Sequence, residues 1–331
     1  MFAGNAVAKI HTRARGGETG MKLGYIGLGK MGYNMVELLL EKGHQIVVFN
    51  KDAEPVQKIA KKGAIPADSP RSLVMALESP RLVWIMVPYD AVDAVLRDLT
   101  PLLATGDTVI DGGNSPYKES IRRAHELGMK GINFLDVGVS GGPAGARIGA
   151  CIMVGGDEEV FHAYEQIFRD ASVNRGYAHV GKAGSGHFVK MVHNGIEYGM
   201  MQALAEGFAI LKQSGFAFDL VKVADLYNHK SVIESRLVGW LKAAYETYGE
   251  NLVGISGTAA QSGEALWTIE AAKEFGSPAP IIKGALDFRL QSQAHPSYAG
   301  QIVSALRNQF GGHEVKASAE EVEKGEKRKI A

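Results

Sequence analysis

One cysteine among 331 residues, Cys151, excludes a disulfide framework within the chain, and its apolar, strand-like surroundings predict a buried thiol. Net charge is missing as well, because 36 basic and 36 acidic side chains cancel. Without an excess of either sign there is no electrostatic footprint for nucleic acid or an anionic membrane, and neither is expected as a partner. No apolar run is long enough to cross a bilayer. His, Cys and Asp do not cluster at ligand spacing, so no metal is expected. The first twenty residues, MFAGNAVAKIHTRARGGETG, lack the apolar core of a signal peptide. They read as a disordered extension ahead of Met21, and a cytoplasmic location is expected. Residues 317–331 read as a charged, solvated tail.

What is present is a globular composition, 46% hydrophobic and 22% charged, over a length that suits two domains. Strand-like runs at 22–28, 45–49, 82–87, 108–110 and 132–135 alternate with helical patterns. The first helix is expected at 31–42, stopping at Gly43. Such alternation predicts parallel strands with crossovers, an α/β Rossmann-type doubly wound sheet. From Gly184 to about Gly311 the periodicity is helical and strands vanish, which predicts an all-α helical domain. The expected boundaries are therefore 1–20, 21–183, 184–316 and 317–331.

The first strand runs into Gly27-Leu28-Gly29-Lys30-Met31-Gly32, a G-x-G-x-x-G run that opens a helix inside a βαβ unit. Gly27 is expected to allow the tight turn, Gly29 the approach of a pyrophosphate, and Gly32 close helix–strand packing. The helix N-terminus would face the phosphates. At the end of the second strand, where an acidic residue would bind the ribose of NAD, stand Asn50, Lys51 and Asp52. Lys51 suits the extra phosphate of NADP while Asp52 opposes it, so NADP is favoured and NAD stays open. Val87-Pro88 and Asp111-Gly112-Gly113-Asn114-Ser115 follow further strands, at the edge where open α/β sheets bind ligands. Asn114 suits nicotinamide or substrate, although the same residues also suit a plain turn. Ser140 with the amides of Gly141 and Gly142 can hold a carboxylate.

Within GHFVKMVHNGIEYGMMQALAEGFAILKQSG, the residues Lys190, His193, Asn194 and Glu197 fall at offsets 0, 3, 4 and 7, and Tyr198 extends their helical face. A solvated surface stripe is the competing reading. Val189, Val192, Ile196, Met200, Met201 and Leu204 make the other faces apolar, which predicts burial and a cleft for the polar groups. An ammonium and a carboxylate two turns apart can serve one substrate as base and acid. Gly195 and Gly199 are expected to permit close approach of a neighbour or ligand.

The runs GLGKMG, FNK, MVP, DGGNS, VSGGPAGARIG, GHFVKMVHNGIEY and ALRNQFGGH together resemble the 6-phosphogluconate dehydrogenase family, from Met21 to about His313. The length resembles the family's short form, whose helical domain lacks a duplicated half. The resemblance implies NAD(P)-dependent oxidative decarboxylation of 6-phosphogluconate to ribulose 5-phosphate, a step of the pentose phosphate pathway and of gluconate metabolism. It implies Lys190 as the general base and Glu197 as the acid that protonates the enediol carbon. Asn114, Ser140, Gly141, Gly142, His193 and Asn194 match the residues that hold the sugar-acid end. Tyr198, Thr268, Arg289, Arg307 and His313 match the phosphate end, the last two reaching the other subunit's site. A homodimer, or a dimer of dimers, is thereby implied. One departure is Leu266, where family members carry a basic residue before Trp-Thr. Two rivals remain: a β-hydroxyacid dehydrogenase of the 3-hydroxyisobutyrate type, and a catalytically silent NADP-binding sensor.

Overall fold

The computed structural model describes residues 20–261 and 263–312. The extension before Gly20, the tail and His313 lie outside the described residues. Contacts divide the chain into two compact units, with the break between Met191 and Val192.

The first unit runs β1 (Lys22–Ile26), α1 (Lys30–Glu41), β2 (Gln45–Phe49), α2 (Ala53–Ala60), β3 (Ile65–Pro66), α3 (Pro70–Met75), β4 (Leu82–Ile85) and α4 (Tyr89–Leu99). It continues with β5 (Thr108–Asp111), α5 (Tyr117–Gly128), β6 (Asn133–Ser140), α6 (Gly142–Ile148), β7 (Ala150–Gly156), α7 (Glu158–Ala163), α8 (Glu165–Asp170) and β8 (Ser172–Gly181). The eight-stranded sheet has the order β3-β2-β1-β4-β5-β6-β7-β8. All neighbours are parallel except β6 and β7. This is the expected Rossmann-type doubly wound sheet. Adjacent residues feed opposite faces. Tyr25, Trp84, Ile110 and Leu135 pack with α1 and α8, while Ile26, Val83, Val109 and Phe134 pack with α3, α4 and α5. Chain order reverses between β1 and β4, and that crevice is where such sheets bind ligands.

Helix α1 forms because Gly32, Met35, Val36 and Leu39 recur at helical spacing and are buried. It ends where Gly43, at φ +87°, donates to the Leu40 carbonyl. Cys151 corrects its expectation, for it is exposed. The β7–β8 register shifts between Ala150 and Ile152, so Cys151 pairs with Ser140 on β6 and has no β8 partner.

Helix α9 (Ser185–Gln213) is continuous through the break and leads into α10 (Leu220–Tyr227), α11 (Arg236–Tyr248), α12 (Glu264–Glu274), α13 (Pro280–Ser292) and α14 (Tyr298–Gly311). The second unit is thus helical, as expected. Its core joins Met201, Ala205 and Phe208 of α9 to Leu220, Leu237, Leu241, Tyr245, Ile302 and Leu306. The burial expected around α9 holds on one side only. Met191 and Met201 are buried, whereas Val189, Ile196 and Met200 are exposed, Ile196 by 53%.

Candidate active site

At the sheet crevice the three glycines differ in what they tolerate. Gly27 has φ +104°, and a Cβ there would sit 2.3 Å from the Met86 carbonyl oxygen, where β4 exits. A Cβ on Gly32 would sit 2.1 Å from the Gly27 carbonyl oxygen, so α1 packs directly on the loop. A Cβ on Gly29 would meet nothing within 4 Å. Gly29 is also the N-cap of α1, without a side-chain cap and without an acid in the first turn. Amides at a helix start have no acceptor within the helix and attract anions. An open cradle over those amides fits a pyrophosphate. Gly27, Leu28, Gly29, Lys30, Met31 and Gly32 therefore form the shape a dinucleotide needs.

Asn50 does something the sequence did not reveal. Its Oδ1 accepts from the Leu28 amide at 2.9 Å, and its Nδ2 donates to the Asp52 carbonyl at 3.1 Å. The side chain braces the glycine loop against the end of β2. Lys51 and Asp52 beside it are exposed. Val87 lies against Gly27, and Pro88 caps α4.

Asn114 lies half-buried in the loop after β5. Asp111, fully buried, shapes that loop: Oδ1 accepts from Gly113 N and Oδ2 from Ser115 Oγ. A Cβ on Gly113 would lie 2.7 Å from the Val87 carbonyl oxygen, so the loops after β4 and β5 touch.

The start of α9 is seated on β6. Buried Asp136, a carboxylate inside an apolar strand, accepts from Gly184 N at 2.7 Å and His187 N at 2.8 Å. A carboxylate at this end of a helix is favoured by the macrodipole and meets otherwise orphaned amides. Ser120 Oγ and His187 Nδ1, both buried, are hydrogen-bonded at 2.7 Å. One turn on, the Lys190 stem lies over Gly138, where a Cβ would stand 2.4 Å from Lys190 Cβ. Two residues further along β6, Ser140 ends the strand, and Gly141 (φ +129°) and Gly142 (φ +64°) turn the chain into α6. Asp136, Gly138, Ser120 and His187 went unread in the sequence. A charged residue in NFLDVGVS was the one available signal.

Further along α9, in the second unit, His193 Nδ1 donates to Asn194 Oδ1 at 3.0 Å and lies 3.9 Å from Glu197 Oε2. Gly195 and Gly199 admit neighbouring helices. Thr268 of α12 packs against the first, and Ile281 of α13 against the second. Thr268 Oγ1 donates to the Glu264 carbonyl, and Leu266 is exposed on the same helix.

Arg289, which the family resemblance assigns to the phosphate end, lies inside the helical unit. It is 2% exposed, and its guanidinium carbon lies 3.3 Å from the centroid of the Tyr198 ring. Its nitrogens donate to neutral acceptors, the Ala260 carbonyl at 3.4 Å and Met201 sulfur at 3.6 Å. Burial is the main cause that pulls its pKa down to about 10, with Tyr198 opposing the fall and the charge of half-buried Arg307 adding to it. It is still a cation at neutral pH, desolvated and suited to an anion.

Two family models match the chain: the NAD binding domain of 6-phosphogluconate dehydrogenase over residues 22–181, and the C-terminal domain of 6-phosphogluconate dehydrogenase over 186–325. The chain belongs to the 6-phosphogluconate dehydrogenase family. Relatives include a Bacillus subtilis protein provisionally named as such a dehydrogenase, 47% identical over 88% of this chain and 98% of its own length. The NAD(+)-dependent, decarboxylating 6-phosphogluconate dehydrogenase of Haloferax volcanii is 42% identical over 89% of this chain and 98% of its own. Longer relatives also occur, and the match covers 55% of the Candida albicans enzyme. Among solved structures, Plasmodium falciparum 6-phosphogluconate dehydrogenase, studied with NADP+ and with 6-phosphogluconate, superposes with a TM-score of 0.73 at 28% identity, covering 87% of this chain and 70% of that one. A Salmonella typhimurium 3-hydroxyisobutyrate dehydrogenase shares the fold, with a TM-score of 0.69 at 21% identity, covering 86% and 99%. Family members are NAD(P)-dependent oxidoreductases, and the described residues hold no group of three or more His, Cys, Asp or Glu able to bind a metal. No helix among them is long and apolar enough to cross a membrane.

Proposed function

We propose that this protein oxidatively decarboxylates 6-phosphogluconate to ribulose 5-phosphate and CO₂, with NAD(P) as hydride acceptor. The observation that carries this reading is the seating of Lys190 over Gly138, on the helix that brings Glu197 seven residues, or about 10 Å of helix axis, further on. The glycine loop with Asn50, Lys51, Asp52, Val87, Pro88 and Asn114 would hold the dinucleotide. When bound, the dinucleotide would supply the acceptor for the hydride that leaves C3 of the substrate. Lys190, as the neutral amine, takes the C3 hydroxyl proton as that hydride leaves. The resulting β-keto acid is activated for loss of CO₂, and the Lys190 ammonium returns a proton to the developing enolate oxygen. Glu197 then protonates the enediol carbon. Ser140, Gly141, Gly142, His193 and Asn194 would orient the carboxylate and hydroxyls.

The phosphate end falls to Tyr198, Thr268, Arg289, Arg307 and His313. A buried arginine with neutral acceptors suits a dianion better than a small unphosphorylated acid, and Arg307 and His313 of a second copy would add to the grip. That favours 6-phosphogluconate over 3-hydroxyisobutyrate. A panel of 6-phosphogluconate, gluconate and 3-hydroxyisobutyrate tests it. The kcat/KM is expected to favour the phosphorylated acid by at least about 10²-fold, the worth of one or two charge-assisted contacts. Arg307→Ala should raise KM for 6-phosphogluconate about tenfold or more and change NADP affinity little. Equal damage to both would leave Arg307 a purely structural role.

Exposed Lys51 next to neutral Asn50 favours NADP over NAD. A homodimer completes the reading. Along α9 an exposed, apolar and small-residue seam runs through Ile196, Met200, Ala203, Gly207 and Ile210 at alternating spacings of four and three. Light scattering at micromolar concentration should give at least twice the chain mass of 35.5 kDa. A monomer would contradict the dimer.

A further inference from the structure

Arg123 on α5 belongs to none of the residues assigned above, yet it is 2% exposed and its guanidinium reaches both loops of the cofactor edge. Nε donates to Asp93 Oδ1 at 2.9 Å. Nη1 donates to Asp111 Oδ2 at 3.1 Å and to Ser115 Oγ at 2.9 Å. Nη2 donates to the Tyr89 carbonyl at 3.2 Å. Tyr89 and Asp93 belong to α4, directly after Val87-Pro88. Asp111 and Ser115 bracket Asn114 and set its loop through the Gly113 amide. The hydrogen bond from Arg123 also holds the Asp93 carboxyl below the usual carboxylate range.

We propose that Arg123 is a positioning residue for the dehydrogenase reaction, a clamp that fixes the Asn114 loop against the Val87-Pro88 loop. The proposal rests on the assignment of Asn114 and Val87 to the cofactor and substrate. A planar guanidinium with five donors in fixed directions can hold a carboxylate, a hydroxyl and a carbonyl on separate elements at once. A lysine ammonium keeps the charge beside Asp111 but not that geometry. The contacts therefore exceed what neutralising one buried carboxylate requires. Nearby Arg122, half-exposed and bonded to Asp93, Glu119 and Glu126, shows the surface alternative on the same helix.

The test is a double-mutant cycle on kcat, combining Arg123→Lys with Asn114→Ala, with NADP affinity and melting temperature measured alongside. Arg123→Lys is expected to lower kcat at least tenfold in the wild-type background and less than twofold in the Asn114→Ala background. Equal losses in both backgrounds would overturn the clamp, since Arg123 would then act independently of Asn114. Wild-type kcat for Asn114→Ala alone would instead remove the assignment of Asn114, and the clamp with it. Should Arg123→Lys not fold, Ser115→Ala replaces it in the cycle, removing one clamp bond and leaving the Arg123–Asp111 pair. Its loss in kcat, expected at about threefold, must likewise vanish when Asn114 is alanine, and persistence of that loss overturns the proposal.

Discussion

Lys190→Ala is expected to lower turnover by about 10³-fold or more while NAD(P) affinity stays within about twofold of wild type. The separation follows from where the residue sits. Its stem rests on Gly138 of β6, and the dinucleotide cradle is built by Gly27, Gly29 and Asn50 at the ends of β1 and β2. Alanine keeps the Cβ that packs on Gly138, and helix propensity does not suffer. Lys190→Arg should be no better than alanine, because a guanidinium does not become a neutral base near pH 7. Steady-state rates with cofactor fluorescence titration measure both quantities. Turnover within tenfold of wild type would remove Lys190 from the chemistry.

Gly29→Val should weaken cofactor binding by about 10²-fold or more, with little change in melting temperature. A Cβ at Gly29 would meet nothing within 4 Å, so it projects into the open space where a pyrophosphate would lie. Gly32→Ala is the control of opposite character. Its Cβ would collide with the Gly27 carbonyl, so it should cost about 1–3 kcal/mol of folding stability. Urea unfolding and cofactor titration of the two variants separate the roles. Normal affinity for Gly29→Val would mean that phosphates do not sit over this turn.

The alternation of strand and helix was legible because buried parallel strands read as short apolar runs, and β1, β2, β4 and β5 lie where those runs predict. Strand β6 extends to Ser140, five residues past its expected end, because the antiparallel ladder with β7 continues through Val137 and Val139. Strand β8 lacks an apolar run because it sits at the sheet edge with no fully buried residue, and Arg175 at positive φ interrupts it. In the site, spacing alone placed Lys190, His193, Asn194 and Glu197 on one helix. Spacing could not show that Asp136 caps that helix from a strand or that Arg123 ties α4 to the β5 loop. Those links join residues far apart in the chain, and only folding brings them together. The family resemblance gave Arg289 a role at the phosphate end, but its burial against Tyr198 shows only in the fold. Residue type cannot report desolvation.

The central claim is that hydride removal and loss of the carboxyl carbon are coupled at one helix. The most direct measurement follows 6-phosphogluconate labelled at C1 with ¹³C, counting ¹³CO₂ and reduced nicotinamide in the same reaction. One CO₂ for each nicotinamide reduced, with ribulose 5-phosphate as the product, is the predicted result. Reduction that proceeds without CO₂ would contradict it and place the chain's chemistry with simple hydroxyacid oxidation.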